Sequence, residues 1–280
     1  MKRGGLFVLG GEDAEMIVIK AILGMAGAQW LQPQVAWGTH VYSPSHLGLT
    51  IVPNMVPAAC LGGYPDQQVG EKVDGWATIH FVECRPGEGW PAGTKTVVID
   101  HHDADAGRPA SILQVLDELD LQLSDPTRRW VELVAANDAG YIPAMLALGA
   151  TAEEVERVRA LDRRAQGVTS AQEAEAERAV REAERGPDGL VVVRMAHSKC
   201  APVCDRLFTS SPSGRENLLV LSENGEVNYF GSGDVCADLK ERFGGWSGGS
   251  GLGKADGSAY WGGYPSHEEV LAFIRERITK

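Results

Sequence analysis

The sequence predicts an α/β protein in which a parallel-sheet N-terminal domain is joined by a helical connector to a second, smaller mixed α/β domain. Three observations support this fold class. Short β-branched runs alternate with helical patterns over the first half of the chain, as they do in βαβ units. From residue 151 the composition changes to Ala, Glu and Arg, and strand-like runs return after Gly186-Pro187-Asp188-Gly189, a strong breaker. We therefore expect domains at 1–150 and 187–280 and a connector at 151–186.

The composition is that of a folded globular protein. Hydrophobic residues make up 44% of the 280 residues and charged residues 23%, which excludes the disordered and fibrous classes. Acidic residues outnumber basic ones 38 to 26, and the net charge is −12. Because such a chain repels a long polyanion, long duplex DNA is not an expected partner. A small anionic substrate still fits, since a site can hold metal ions.

The sequence also indicates the compartment. The most apolar stretch, Met16 to Leu31, contains Lys20 and is too short to span a bilayer, so no membrane partner is expected. The apolar run near the start ends at Glu12 and Asp13, unlike a signal peptide. Five widely spread cysteines, an odd number, favour reduced thiols. We expect a cytoplasmic protein, for which a homodimer is compatible with the sequence.

In the first half, three apolar runs are typical of buried strands: Leu6 to Leu9, Ile79 to Val82 and Val97 to Ile99. Each is followed within a few positions by an acidic residue. Helical patterns follow at 112–119 and from Trp130 to Ala136. Ligands in open α/β sheets bind at the carboxyl ends of the strands, so these acidic residues are candidates for a site.

The connector and the second domain show their own signals. Two capping boxes of the form S/T-x-x-E, Thr151 with Glu154 and Ser170 with Glu173, predict the starts of two helices. Asn224-Gly225 predicts a hairpin turn between two strands. The predicted strands are Leu190 to Met195, Leu218 to Leu221 and Val227 to Phe230, and a last helix begins near His267.

The most informative chemistry is the string Asp100-His101-His102, directly after a predicted strand. One carboxylate and two imidazoles at the edge of a sheet suit a mixed N/O site for Mn²⁺, Fe²⁺ or Zn²⁺. The string Val98 to His102, with Gly107 to Ile112 after it, resembles the signature of the DHH phosphoesterase superfamily. The resemblance implies hydrolysis of phosphate esters or anhydrides with divalent metals, commonly two Mn²⁺ ions, in an N-terminal α/β domain.

The resemblance also implies a set of metal ligands. His101 belongs to the signature, and Asp138 matches the aspartate that follows a helix in the family's fourth motif. Glu83 stands where the family has an aspartate at the end of the preceding strand, and Asp13 matches the second aspartate of the first motif. Simpler roles stay open for three of them: helix capping for Asp13, strand-edge solvation for Glu83 and a turn for Asp138.

The first motif departs from the family pattern His-x-x-x-Asp-x-Asp. Phe7 replaces the histidine and Gly11 the first aspartate. Since two metals need several ligands each, we expect one or two Mn²⁺ ions, with one position absent, weak or completed by another side chain. The residues considered for that completion are Glu12, Glu15, His40 and His46.

The second half follows the order of the DHH-associated substrate-binding domain, whose glycine-rich motif holds the substrate. Here nine glycines fall within Gly244 to Gly263. Backbone N–H groups of glycines can approach an anion closely, and aromatic side chains can stack on a base. A flexible surface loop is the alternative. The predicted substrate-binding residues are Gly244, Gly245, Trp246, Gly248, Gly249, Lys254, Tyr260 and Trp261.

The sequence therefore predicts metal-dependent hydrolysis of a phosphodiester in a small nucleotide or short single-stranded oligonucleotide, in an interdomain cleft. Asp100 would orient the histidines, His102 would stabilise charge on the phosphoryl group, and Arg108 would contact a phosphate. Two alternatives remain: a catalytically impaired DHH-like protein that binds a nucleotide or a partner, and a pyrophosphate or polyphosphate hydrolase. A zinc site is a weaker expectation, with ligands His197, Cys200 and Cys204.

Overall fold

The computed structural model divides the chain into two compact units, Met1–Gln166 and Gly167–Lys280. The boundary falls between the two helices of the predicted connector, so that segment is shared between the units. No helix in the part of the chain that is described is long and apolar enough to cross a membrane. The structure describes residues 5–33, 41–43, 78–90, 93–102, 105, 107–210, 217–249 and 251–278.

The first unit contains a parallel sheet with helices packed against it. Its four strands have the order β2-β1-β4-β6, and a separate parallel pair is formed by β3 and β5. The strands are β1 (Gly5–Leu9), β2 (Gln29–Leu31), β3 (Val41–Tyr42), β4 (Thr78–Val82), β5 (Arg85–Pro86) and β6 (Lys95–Ile99). The helices are α1 (Ala14–Met25), α2 (Ser111–Leu119), α3 (Asp125–Ala147) and α4 (Ala152–Ala165).

The register of this sheet aligns the ends of three strands. Leu9 pairs with Val82, and Val82 pairs with Ile99. Leu6 to Leu9 is completely buried, as expected for a strand of a parallel sheet with both faces covered. The segments that follow β1, β4 and β6 therefore leave the sheet at one edge, and they carry three of the four predicted ligands, Asp13, Glu83 and His101.

Helix α3 is longer than the predicted helix at Trp130 to Ala136 and changes the interpretation of Asp138. Asp138 lies inside the helix, so the turn considered for it is wrong. The helical geometry is interrupted just afterwards, at Gly140 and at Tyr141, whose φ of 59° is left-handed. Pro143 explains the position of the kink, because a proline clashes with the carbonyl four residues before it and cannot bond to it. Asp138 thus lies just before a sharp bend.

The second unit has a mixed six-stranded sheet of order β11-β12-β10-β9-β8-β7. Strands β8 and β9 are parallel and the other neighbours antiparallel. Together with the parallel sheet of the first unit, this confirms the predicted fold class. The strands are β7 (Glu184–Arg185), β8 (Leu190–Met195), β9 (Asn217–Ser222), β10 (Val227–Ser232), β11 (Trp246–Gly248) and β12 (Ser258–Gly263). The helices are α5 (Ser170–Arg181), α6 (Ala201–Ser210), α7 (Gly233–Phe243) and α8 (His267–Ile278).

Helix starts agree with the capping patterns, with one shift. Thr151 and Glu154 form the predicted capping box of α4. The second box is made by Thr169 and Gln172, one residue before the predicted pair. Thr169 has the extended backbone that an N-cap requires, and glutamine can fill the third helical position as glutamate does.

Candidate metal site

The site begins where β4 and β6 end. Glu83 follows β4, and its backbone N–H donates to the carbonyl of Ile99 at 2.9 Å, which extends the sheet by one residue. Its φ of 54° is uncommon for a residue with a side chain. Such a backbone persists only where its surroundings hold it, and it is frequent at functional sites. Asp100, His101 and His102 follow the neighbouring strand β6.

Four side chains converge at this edge: Glu83, His101, His102 and Asp138 offer ligand atoms that all lie within 4.8 Å of one another. His101 is central, with Nε2 2.5 Å from Oδ2 of Asp138 and 3.5 Å from Oε1 of Glu83. Asp138 is far from His101 in the chain, and the kinked helix α3 brings it to the sheet edge. The ligand roles of Glu83, His101 and Asp138 remain predictions, and His102, for which the resemblance implies a contact with the phosphoryl group, also offers a ligand atom here.

The chemistry of this group fits a divalent metal. Oε1 of Glu83, Nε2 of His101 and Oδ2 of Asp138 are buried, and none makes a hydrogen bond of good geometry. Buried polar atoms of this kind require an explanation, and a bound ion is one. Two carboxylates and two imidazoles are a donor set that suits Mn²⁺, Fe²⁺ or Zn²⁺. Asp138 and Glu83 raise the pKa of His101 to about 10, so without a metal this imidazole is protonated and its charge pairs with the two carboxylates.

Asp100 is placed to orient His102. Its Oδ1 accepts hydrogen bonds from the backbone N–H groups of His101 at 2.7 Å and His102 at 2.9 Å, and lies 3.0 Å from Nδ1 of His102. A carboxylate on one ring nitrogen leaves Nε2 for a ligand, as is common around metal sites. This arrangement is compatible with the orienting role that the resemblance implies for Asp100.

Two arginines lie next to the Asp-His-His loop. Arg85 was not singled out from the sequence; its Nη2 is 3.1 Å from Oδ2 of Asp100 and 2.7 Å from Oδ2 of Asp105. The sequence signal that could have identified Arg85 is its position two residues after Glu83. Arg108 donates to the carbonyl of Val98 at 3.0 Å. Its contact with a phosphate stays a prediction.

The acidic residues of the first motif differ in their surroundings: Asp13 caps a helix, Glu12 is on the surface and Glu15 is buried near the site. Asp13 caps α1, since its Oδ1 accepts from the N–H of Met16 at 2.7 Å, and it is not one of the four convergent side chains. Glu12 forms an exposed pair with Lys20. Glu15 is 1% exposed, and Asp138 and Glu83 are the charges that face it. His40 and His46 lie outside the described residues.

A buried ion pair on α4 contacts the segment of α3 that carries Asp138. Nη1 of Arg159 is 2.9 Å from Oδ2 of Asp162 and donates to Oδ1 of Asn137 at 2.8 Å. Asp162 also accepts from the backbone N–H of Ala14 at 3.3 Å, and the guanidinium lies 4.3 Å from the ring centroid of Tyr141. The pair therefore connects the start of α1 with the kink of α3. The charged composition of α4 gave no signal for this, because it is typical of a solvated helix.

The glycine-rich stretch contains two strands, β11 and β12, so it is not simply a flexible loop. Trp261 is completely buried in the core of the second unit, and its Nε1 donates to the carbonyl of Gly244 at 2.8 Å. The predicted stacking of Trp261 on a base is therefore corrected to a structural role. Trp246 and Tyr260 are 40% and 44% exposed.

Some glycines here are explained by packing. A Cβ at Gly262 would clash with the ring of Trp246, and one at Gly248 would lie 2.5 Å from the hydroxyl of Tyr260. Since Trp246 pairs with Gly262 and Gly248 with Tyr260, each ring covers the glycine opposite. Binding of substrate by Gly244, Gly245, Gly249 and the exposed Lys254 stays a prediction. His197, Cys200 and Cys204 do not form a metal group in the described part of the chain.

No family model matches the chain, and no curated protein matches it. Among solved structures, RecJ from Thermus thermophilus in complex with Mg²⁺ aligns with 13% identity and a TM-score of 0.46 over 99% of this chain and 50% of that one. The chain thus spans half the length of that structure. The pGpG-specific phosphodiesterase PggH from Vibrio cholerae aligns with 10% identity and a TM-score of 0.39 over 99% of both chains.

An uncharacterized protein from Helicobacter pylori G27 aligns with 10% identity and a TM-score of 0.26, again over 99% of both chains. All three TM-scores are below 0.5 and all identities are 13% or lower. Membership of the DHH phosphoesterase superfamily therefore stays a prediction from the sequence motifs.

Proposed function

We propose that this protein is a metal-dependent phosphoesterase that hydrolyses a phosphodiester bond in a small nucleotide or short single-stranded oligonucleotide. The supporting observation is the convergence of Glu83, His101, His102 and Asp138, whose ligand atoms lie within 4.8 Å of one another at the carboxyl edge of a parallel sheet. Two further features agree with it: the Asp-His-His string and the buried atoms without good hydrogen bonds.

In this proposal His101, Asp138 and Glu83 hold the metal, for which we propose Mn²⁺. When bound, the metal supplies Lewis acidity toward the phosphoryl group and makes water a nucleophile near neutral pH. Asp100 keeps the His102 ring in one orientation through Nδ1, at 3.0 Å. The other ring nitrogen of His102 is then available for the phosphoryl oxygens. Arg108 adds a donor that is 40% exposed at the end of the loop.

A base-containing substrate is favoured by the aromatic residues of the second unit. Trp246 and Tyr260 are large, exposed rings on paired strands, and a ring of this kind can stack on a base of any sequence. Lys254 adds an exposed positive charge to a chain whose net charge is −12. These residues are the proposed recognition elements for the nucleotide.

The test is an assay of the purified chain after treatment with a chelator. Linear dinucleotides, cyclic dinucleotides, short oligonucleotides and pyrophosphate are incubated with and without added Mn²⁺. We expect Mn²⁺-dependent cleavage of at least one nucleotide substrate. His101→Ala and Asp138→Ala should each reduce metal content and lower the rate by more than the roughly 10- to 100-fold that loss of a ligand's own hydrogen-bond partner costs. His197→Ala serves as the control, since His197 lies in the other unit, outside this group.

The outcomes separate the function classes. Cleavage of pyrophosphate alone would favour the anhydride hydrolase, and tight nucleotide binding without cleavage would favour a binding protein. Full metal occupancy and undiminished activity in both variants would overturn the assignment of His101 and Asp138. Circular dichroism spectra of the variants establish that any loss of activity is not a loss of fold.

A further inference from the structure

We propose that Glu15 supplies a carboxylate for a second divalent cation, next to the position held by His101 and Asp138. The inference rests on the proposed metal-dependent function and extends it to a residue of the first turn of α1. Of the two carboxylates considered for completing the first motif, Glu12 and Glu15, it selects Glu15. The cation is of the Mn²⁺ or Mg²⁺ class, which prefers carboxylate oxygens.

The first argument is burial without a partner. Glu15 is 1% exposed, and a carboxylate is rarely buried so completely unless it is paired. Its Oε1 accepts a hydrogen bond from the backbone N–H of Ile112 at 2.9 Å, at the N-terminal end of α2. Its Oε2 is buried and has no hydrogen-bond partner. One oxygen is thus held in place and the other is left without a donor.

The second argument is the set of charges around the Glu15 carboxyl group. The charges that act on Glu15 come from Asp138 and Glu83, and the carboxyl groups of Glu15 and Glu83 lie within hydrogen-bond reach of each other. Asp13, at the cap of the same helix, also lies near Glu83 and Asp138. Carboxylates buried side by side repel one another strongly, and a multivalent cation between them removes the repulsion. A second ion at this place would share Glu83 or Asp138 with the first, as two-metal sites do.

The third argument is the contrast with Glu12. This residue has the same charged group and lies in the same segment, but both of its oxygens contact Nζ of Lys20, at 2.7 and 2.5 Å. Its side chain is 39% exposed. Glu12 is therefore neutralised at the surface, whereas Glu15 faces the other carboxylates. The pair provides a matched control within one short segment of chain.

The experiment counts metal ions in the full chain. Chelator-treated wild type, Glu15→Gln and Glu12→Gln are titrated with Mn²⁺, and bound metal is measured by equilibrium dialysis and by electron paramagnetic resonance. Glutamine keeps a carbonyl oxygen to accept from Ile112 but removes the charge. We expect two ions per chain, with a spin-coupled signal, in wild type and Glu12→Gln. In Glu15→Gln we expect one ion and no coupled signal.

Each outcome has a distinct meaning. One ion in the wild type, or two ions bound with unchanged affinity in Glu15→Gln, overturns the inference and leaves the proposed function standing. No bound metal in the wild type overturns the proposed function, and the inference with it. If Glu15→Gln does not fold, Glu15→Asp keeps the charge while shortening its reach; unchanged binding of two ions by that variant also overturns the inference.

Discussion

Arg159 on α4 donates a hydrogen bond of 2.8 Å to the side chain of Asn137, the residue directly before Asp138. The same guanidinium pairs with Asp162 at 2.9 Å, and Arg159 and Asp162 are only 4% and 6% exposed. A buried pair of this kind fixes geometry more than it adds stability, because both charges lose their hydration. Its contacts with Asn137 and with the ring of Tyr141 indicate that α4 fixes the kink of α3, and with it the position of Asp138.

Replacing Arg159 with methionine should therefore destabilise the protein strongly. The change removes the cation paired with the buried Asp162, to which the neutral donors Ala14 N–H and Gln166 Nε2 still contribute, and should cost about 3–5 kcal/mol. Urea unfolding followed by circular dichroism measures the loss. Arg129→Met is the control, since Arg129 pairs with Glu154 on the surface and should lose far less. If Arg159→Met lowers the free energy of unfolding by less than about 1 kcal/mol, Asp162 does not depend on Arg159 for its charge compensation.

His80 should make the protein sensitive to mild acid. It is 4% exposed, its ring stacks on Phe7 at 4.5 Å, and burial lowers its pKa. The unfolded chain, with a histidine pKa of about 6.5, then binds a proton before the folded protein does. Stability linked to His80 is complete above about pH 6.5 and is lost as the pH falls below that value.

His80→Phe should remove this part of the pH dependence while keeping the stacked ring. Thermal unfolding between pH 5 and 8 tests it: the melting temperature of the variant should fall less on acidification than that of the wild type. Carboxylates titrate in both proteins, so the comparison of the two slopes isolates His80. Equal slopes would show that His80 does not contribute.

Trp246→Ala should weaken nucleotide binding without altering the chemistry. Loss of a base-stacking ring is worth about 1–3 kcal/mol, a rise in KM of about 5- to 150-fold. Hydrolysis of a small phosphodiester without a base should be unchanged, as loss of uniform binding requires. Trp261→Phe is the comparison: it should lower stability, since a buried hydrogen bond is lost, and leave KM unchanged. The stacking proposal fails if Trp246→Ala changes both activities equally or neither.

Gly245→Ala should destabilise the second unit. Gly245 has a φ of 81°, and a Cβ there would clash with the carbonyl oxygen of Gly262. The backbone strain alone costs about 1–3 kcal/mol, and the clash with a fixed carbonyl adds to it. Gly11→Ala is the matched control, because a Cβ at Gly11 meets nothing within 4 Å. Similar melting temperatures for both variants would be the contrary result.

The sequence by itself determined the fold class, the strands β1, β4, β6, β8, β9 and β10, and the centre of the candidate site. These features are local: the run Leu6 to Leu9 is apolar enough to be a buried strand, and Thr151 with Glu154 is sufficient to start a helix. Asp100, His101 and His102 follow a strand directly, so their place at the sheet edge follows from chain order. The carboxyl ends of parallel strands then bring Glu83 beside them.

Only the tertiary structure decided which similar residues face inward. Glu12 and Glu15 are alike as side chains in one short segment, but one lies on the surface with Lys20 and the other is buried beside Glu83. Trp246 and Trp261 belong to paired strands, yet Trp261 lies in the core and Trp246 is exposed. The physical reason is that the burial of a side chain depends on which element packs against it. That element is often distant in the chain: Arg159 on α4, for example, contacts Asn137 on α3.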